Sequence, residues 1–344
     1  MNVWEHQVFH RYAILGYLFT LVWVFDSQHS EGVMFFISLA VLSALAANGD
    51  APPSAQTWEE LSKKATELQN LDDFAGAELL RRQALEIAEK KPGIEDSKLA
   101  PLYSDLAVTL HLEARDAEAD VVARQATACA TRSSDPRLMG VTLNILGVVL
   151  SAEGENARAE PVLRRSVALL EQAEGPDSFE VAKAENNLAM LYLNDREYAK
   201  AGIEMARALP AYESLGTDNP ELALILGNVF AVLASQHRAE EGEPYLRRAL
   251  AIGEKAFPNS LKMANLQVCL AALENSRENY KDAARLLESA VATQERLLGP
   301  DHPTLAHTLQ GYSAVLRHLH RNAQAKIAQN RANSILKSAL PDVK

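Results

Sequence analysis

Apolar residues return at intervals of three and four along most of the chain, which is the spacing of one face of an α-helix. In the segment Pro220–Ser235 they stand at Leu222, Leu226, Val229, Phe230 and Leu233. Breakers separate such segments, for example Asp135-Pro136 and Gly175-Pro176-Asp177. Gly ends a helix in a left-handed cap, and Asp or Asn next to Pro begins the following one. The pattern predicts an all-α chain of short helices.

The helical segments repeat every 40–42 residues. An apolar residue marks the middle of each first helix, at Leu106, Leu146, Leu188, Val229, Leu270 and Tyr312. A small residue follows thirteen positions later, at Ala119, Ala159, Ala201, Gly242, Ala283 and Ala325. Another follows seven positions further on, at Ala126, Ser166, Ala208, Ala249, Ala290 and Ala332. One earlier unit carries Ala77 and Ala84 in these registers. We therefore expect about seven antiparallel helix pairs stacked into a solenoid over residues 57–338, with a tail at 339–344.

Residues 1–56 differ in composition from the repeats. Two apolar runs, 12–25 and 33–47, are each shorter than the ~20 residues of a membrane helix and have the length of a signal-peptide core. Ala44 and Ala46 fit a cleavage site before Ala47. We expect a leader over residues 1–47, acting as signal peptide or membrane anchor, and a linker over residues 48–56.

The sequence of the leader is compatible with two start residues and with more than one cellular location. Met34 stands at the beginning of the second apolar run, so that either Met1 or Met34 is the true start. The expected location is outside the cytoplasm, periplasmic or secreted, or anchored to the membrane by the N-terminus. A cytoplasmic protein with an unusual N-terminus is the disfavoured alternative.

Charge restricts the class of partner. The net charge is −11, and an acidic surface repels both phosphate backbones and anionic lipids. We therefore expect no nucleic-acid partner, and membrane contact only through an uncleaved N-terminal segment.

The chain carries no motif that predicts catalysis. No phosphate-binding glycine loop, C-x-x-C or H-E-x-x-H spacing, or nucleophile elbow occurs. His302 falls in a turn between repeats, where a helix-capping role is expected. The sequence thus predicts no catalytic residue, no metal ligand and no cofactor.

Three segments resemble the 42-residue tetratricopeptide repeat of the kinesin light chain type: 186–192 (NNLAMLY), 298–306 (LGPDHPTLA) and 243–250 (EPYLRRAL). The resemblance covers about residues 57–338 and is shared by bacterial proteins of unrelated roles. It implies a right-handed superhelix whose first helices line a concave binding groove. Lys64 departs from the pattern, since the other units are apolar there, and fits a capping first repeat.

The resemblance also implies which residues face the groove. The groove positions implied lie one, two and five residues before the central apolar position. Family members use Asn two residues before it to hold an extended peptide by its backbone, since an amide both donates and accepts. The corresponding candidates are Asn144, Lys183, Asn186, Asn187, Asn228 and Asn265, with Lys183 as a lone charge. The alternative is that these Asn residues tolerate a solvated helix face or bond to the adjacent repeat.

Two functional hypotheses follow from the implied groove. One is a non-enzymatic scaffold that binds a protein or an extended peptide. The other is a regulatory sensor, in which a ligand changes the superhelix and thereby controls a partner protein.

Overall fold

The computed structural model describes residues 21–24, 33–36 and 57–339, and the chain divides into two compact units, Met1–Gln56 and Thr57–Lys344. In the first unit, strand β1 (Leu21–Val24) pairs antiparallel with β2 (Val33–Phe36). These strands lie inside the two apolar runs of the predicted leader. The predicted cleavage site, the linker and residues 340–344 lie outside the described residues.

Residues 57–339 form seven consecutive helix pairs, which confirms the predicted all-α solenoid. The first helices are α1 Trp58–Asn70, α3 Asp96–Leu112, α5 Pro136–Ala152, α7 Phe179–Asn194, α9 Pro220–Ser235, α11 Leu261–Ser276 and α13 Pro303–His318. The second helices are α2 Phe74–Glu89, α4 Asp116–Ser133, α6 Asn156–Glu174, α8 Tyr198–Glu213, α10 Ala239–Ala256, α12 Tyr280–Leu298 and α14 Asn322–Ala339. None of these fourteen described helices has the length and hydropathy of a bilayer-spanning segment.

Side-chain caps begin six of the seven first helices, all but α3. Asp135 and Asn219 accept hydrogen bonds from backbone N–H groups of α5 and α9, and each is followed by a proline at the first helical position, as predicted. In the Gly175-Pro176-Asp177 segment the capping residue is instead Ser178, whose hydroxyl accepts from the Val181 N–H. His302 caps α13, as the sequence indicated.

Every turn inside a repeat uses one residue with positive φ. The six non-glycine examples are Asp72, Ala114, Arg196, His237, Glu278 and His320, and Gly154 is the seventh. The next N–H reaches back to a carbonyl in the last helical turn, as Arg115 does to Leu110 at 2.9 Å. This is a Schellman motif, which satisfies carbonyls that the helix end leaves free. One turn geometry therefore joins the two helices of all seven repeats.

The two small residues of each second helix are fully or nearly fully buried, from Ala77 and Ala84 in the first repeat to Ala325 and Ala332 in the last. Without a long side chain, the second helix can approach its partner closely, toward the ~8 Å lower limit of interaxial distances. Where Ser166 replaces Ala, its hydroxyl donates to the Gly140 carbonyl at 2.7 Å, so its polarity costs little.

The row of first helices forms the inner side of the stack. From repeat 2 to repeat 7, first helices of neighbouring repeats contact one another, whereas a second helix reaches the next repeat through that repeat's first helix. The more closely spaced row lies on the concave side, which is the placement that the resemblance implied for a binding surface.

The two ends of the stack also meet. The Asp72 carboxylate, in the turn of the first repeat, accepts a hydrogen bond at 2.9 Å from the backbone N–H of Leu261, the first residue of α11 in the sixth repeat. Asp72 is only 7% exposed. We call the contact surface between repeats 1–2 and repeats 6–7 the seam.

Repeat 4 buries a carboxylate beside the concave row. Glu185 on α7 is 2% exposed, and its Oε1 lies 2.8 Å from Arg207 Nη2. The same guanidinium lies 2.5 Å from Glu171, and the buried Glu204 is close by. The pKa of Glu185 is raised to about 7, mainly by burial and to a lesser extent by the neighbouring carboxylates, against the lowering effect of Arg207.

We expect Ala249→Leu to destabilise the fold by about 1–3 kcal/mol, because the larger side chain overpacks a helix contact at a fully buried position. The measurement is the midpoint of chemical unfolding. Glu254→Leu, at an exposed site on the same helix, is the matched control. Equal midpoints for the two variants would contradict the assigned role of the small residues.

We also expect Glu185→Gln to change how stability depends on pH. A carboxyl whose pKa is higher in the folded chain than in the unfolded chain stabilises the fold at low pH, and this contribution is lost as pH rises toward about 7. The melting temperature of the wild type should therefore fall more between pH 5 and pH 8 than that of Glu185→Gln. Glu254→Gln, at an exposed position, serves as control and should follow the wild type.

Candidate functional site

Four asparagines on three successive first helices are hydrogen-bonded to one another. Asn228 Nδ2 donates to Asn186 Oδ1 at 2.9 Å, and Asn187 Nδ2 donates to Asn144 Oδ1 at 3.0 Å. Within α7, Asn186 Nδ2 donates to Asn187 Oδ1 at 3.4 Å. These residues, which we call the amide ladder, connect α9, α7 and α5 across the concave row. The alternative role of bonding to the adjacent repeat therefore describes part of what they do.

The amide ladder borders a cleft of about 330 Å³ between α3, α5 and α7. Its apolar wall consists of Val108, Val141, Ile145, Val148 and Val149. Its polar lining consists of His111, Asn144, Glu180, Lys183, Asn186, Asn187 and Tyr212. The cleft can thus receive an aliphatic group on one side while amides face it on the other.

The structure brings most of the predicted groove residues together. Asn144, Lys183, Asn186 and Asn187 line the cleft, and Asn228 joins it through the amide ladder. Asn265 does not: it is exposed on α11, accepts a long hydrogen bond from Gln294 at 3.4 Å, and lines a different cavity at the seam.

Lys183 is not the lone charge that the sequence suggested. Its Nζ lies 2.7 Å from a carboxylate oxygen of Glu180, one helical turn earlier. The ammonium also lies 5.3 Å from the centroid of the Phe179 ring. An i,i+3 ion pair of this kind leaves the cleft close to neutral.

Three polar cleft residues, His111, Glu180 and Tyr212, were not predicted, because only positions near the centre of the first helices were considered. His111 lies near the end of α3, with Nδ1 at 2.6 Å from Asp116 Oδ1. Tyr212 comes from a second helix, α8, and packs edge-on against Phe179 with ring centroids 4.9 Å apart. Burial raises the pKa of Tyr212, with a smaller contribution from Glu221 and Glu180, so its hydroxyl stays protonated.

In repeat 2 the residue just before the central apolar position is Asp105. This part of α3 packs against repeat 1. Arg81, which is 4% exposed, donates to the Asp105 carbonyl at 2.8 Å and to the Gln69 side chain, and it also contacts the Thr109 hydroxyl. Burial raises the pKa of Asp105, while the charge of Arg81 opposes this shift. The amide-lined part of the concave row therefore begins at repeat 3.

A second cavity, of about 370 Å³, lies at the seam. Residues of repeats 1 and 2, including Asp72, His111 and Asp116, face residues of repeats 6 and 7, including Lys262 and His302. His111 lines both cavities. Within residues 57–339 no group of His, Cys, Asp and Glu side chains is arranged to hold a metal ion.

Two parts of the chain match models of a known repeat family. Models of the tetratricopeptide repeat match residues 140–180 and 262–338. A search of curated proteins found no significant sequence match.

Solved structures of several proteins share the fold. A Rap protein in complex with competence and sporulation factor has 13% identity and a TM-score of 0.68, covering 87% of this chain and 80% of the other. The Rap conjugation gene regulator of plasmid pLS20, in complex with the Phr* peptide, has 14% identity and a TM-score of 0.67, covering 82% and 74%. At these identities the likeness concerns the fold alone.

Repeats described as kinesin light chain TPR-like repeats, from Podosopora anserina, are 17% identical, with a TM-score of 0.46 over 58% of this chain and 96% of the other. The helix pairs, their period and the repeat-family matches agree with one another. The chain thus contains tetratricopeptide repeats, and the kinesin light chain subtype stays an expectation from the sequence.

Proposed function

We propose that this chain is a non-enzymatic binding module that holds an extended peptide in the cleft of repeats 2–4. The observation that carries the proposal is the amide ladder, which joins three successive repeats beside an apolar wall. Proteins with the same fold support it, since one was solved with the Phr* peptide bound.

The amide ladder suits a peptide backbone. Each of Asn186, Asn187 and Asn228 uses one amide N–H within the ladder, which leaves its second N–H for another acceptor. The Asn144 NH₂ group and the Asn228 carbonyl oxygen make no bond within the ladder, so they end it with an open donor and an open acceptor.

The cleft also indicates what kind of peptide fits. Val108, Ile145 and Val148 offer a place for one aliphatic side chain. The Lys183–Glu180 pair presents both charges together, so neither a terminal carboxylate nor a basic residue has a dedicated partner. We therefore propose an uncharged, extended segment with an aliphatic residue as the ligand. A nucleic-acid partner stays disfavoured by the net charge of −11.

A regulatory sensor is the second candidate, and the seam favours it. In an open stack a ligand could alter the pitch freely, whereas here a change of pitch must strain the contact between Asp72 and Leu261. The likeness to a solved structure of a conjugation gene regulator adds support.

Export, or anchoring by residues 1–47, stays a prediction that N-terminal sequencing of the mature protein tests.

Selection of short random peptides on the immobilised full chain, followed by fluorescence anisotropy, tests the proposal. We expect Asn187→Ala combined with Asn228→Ala to weaken the selected peptide's affinity about 10–100-fold, because hydrogen bonds to the backbone are lost. Asn333→Ala, an exposed asparagine on α14, is the control and should bind like the wild type. Unchanged affinity in the double variant would reject the cleft as the binding site.

A further inference from the structure

The seam connects parts of the chain that are far apart in sequence. Asp72 and Leu261 are 189 positions apart, yet the Asp72 carboxylate accepts the Leu261 N–H at 2.9 Å. The α11 N-terminus already has a cap of its own, because the Ser260 hydroxyl accepts from the Met263 N–H at 3.2 Å. Asp72 thus adds a second, charged cap from another repeat, in the position where the helix dipole favours a negative charge.

A second contact lies at the other edge of the seam. The His302 imidazole, which caps α13 through Nδ1, faces the carbonyl end of α3 at Leu112, close to His111 and Asp116. Burial lowers the pKa of His302, so the ring is neutral at pH 7. Repeats 6 and 7 therefore touch both helix-end turns of repeats 1 and 2.

The cleft and the seam share one helix. His111 lines the cleft with one side and the seam cavity with the other, and its Nδ1 lies 2.6 Å from Asp116 in the following turn. A displacement of α3 relative to α5 therefore changes both the width of the cleft and the fit of the seam.

The amide ladder indicates how peptide binding at the cleft would affect the seam. In the closed stack Asn144 and Asn187 bond to each other, and so do Asn186 and Asn228, across the repeat boundaries. A peptide backbone that binds the remaining N–H groups also competes for the acceptors of these bonds, which fix the spacing between repeats. Its binding then allows neighbouring repeats to rotate, and the rotation accumulates at the two ends of the stack.

We propose that Asp72 is a latch, which holds the superhelix closed by capping α11, and that peptide binding in the cleft favours release of this latch. The coupling rests on the proposed peptide-binding function, whereas the latch itself does not. In the ligand-free chain the superhelix is closed and the bonds within the ladder are formed. The peptide-bound chain is open at the seam.

Asp72→Gly is the informative variant. Asp72 has a φ of +61°, which glycine adopts without strain, so the substitution removes the carboxylate while leaving the turn relaxed. Glu278→Gly is its matched control, because Glu278 occupies the equivalent turn of repeat 6 with the same φ of +61° and is exposed. Asp72→Asn keeps a side-chain acceptor and tolerates positive φ, so it should restore part of the closure.

The distance across the seam can be measured in the full chain by electron paramagnetic resonance. Nitroxides are placed on cysteines that replace the exposed Lys63 and Lys281, with Cys129 and Cys269 changed to Ala. Without peptide, Asp72→Gly should shift the distances to longer values, Asp72→Asn should shift them less, and Glu278→Gly should leave them unchanged. The same distances in Asp72→Gly and its parent would overturn the latch.

Adding the selected peptide tests the coupling. The parent should then move toward the long distances, and Asp72→Gly should bind the peptide about 3–10-fold tighter, because its open state is already populated. A longer seam distance without tighter binding would overturn the coupling. If no peptide binds any variant, the proposed function and the coupling both fail, and the distances without peptide still decide the latch.

Discussion

The close approach of two antiparallel helices at small residues is the contact on which the rest of the molecule depends. In each repeat the second helix offers two positions, such as Ala201 and Ala208, where no side chain extends beyond the β-carbon or a hydroxyl. This contact fixes which face of the first helix is turned inward and buried. The residues just before the central apolar position then point away from the partner helix, which brings Asn187 and its equivalents to the concave row.

The turn inside each repeat adds a second constraint. Positive φ is unfavourable for side chains other than glycine, yet six of the seven turns place such a residue there. The chain accepts this cost because a Schellman end lets the next helix begin at once, which keeps the helix pair short and antiparallel. The conformational cost of the turns is thus offset by the packing of the small residues that they bring together.

The parts of the fold that could be predicted from the sequence are those that repeat. A period of 40–42 residues averages out local exceptions, so the helix pairs and the caps at Asp135 and Asn219 were predictable, and the family resemblance implied the inward Asn positions. The Lys183–Glu180 ion pair could also have been predicted, since i,i+3 neighbours lie on one side of a helix, whereas Lys183 was expected to be a lone charge. The bonds of the amide ladder were not predictable, because they depend on the rotation between adjacent repeats.

The seam is the feature that could least be predicted from the sequence, and it changes how the repeats of the stack respond to one another. A solenoid with contacts only between neighbours is quasi-one-dimensional, and each repeat responds mainly to the next. The bond from Asp72 to Leu261 links the first repeat to the sixth, so a rotation at any boundary between them is felt at the same place. Small displacements at the cleft, each too slight to alter one repeat, therefore add up at a single buried carboxylate. A superhelix that switches between a closed and an open state needs a contact that is either formed or broken, and the bond between Asp72 and Leu261 is such a contact.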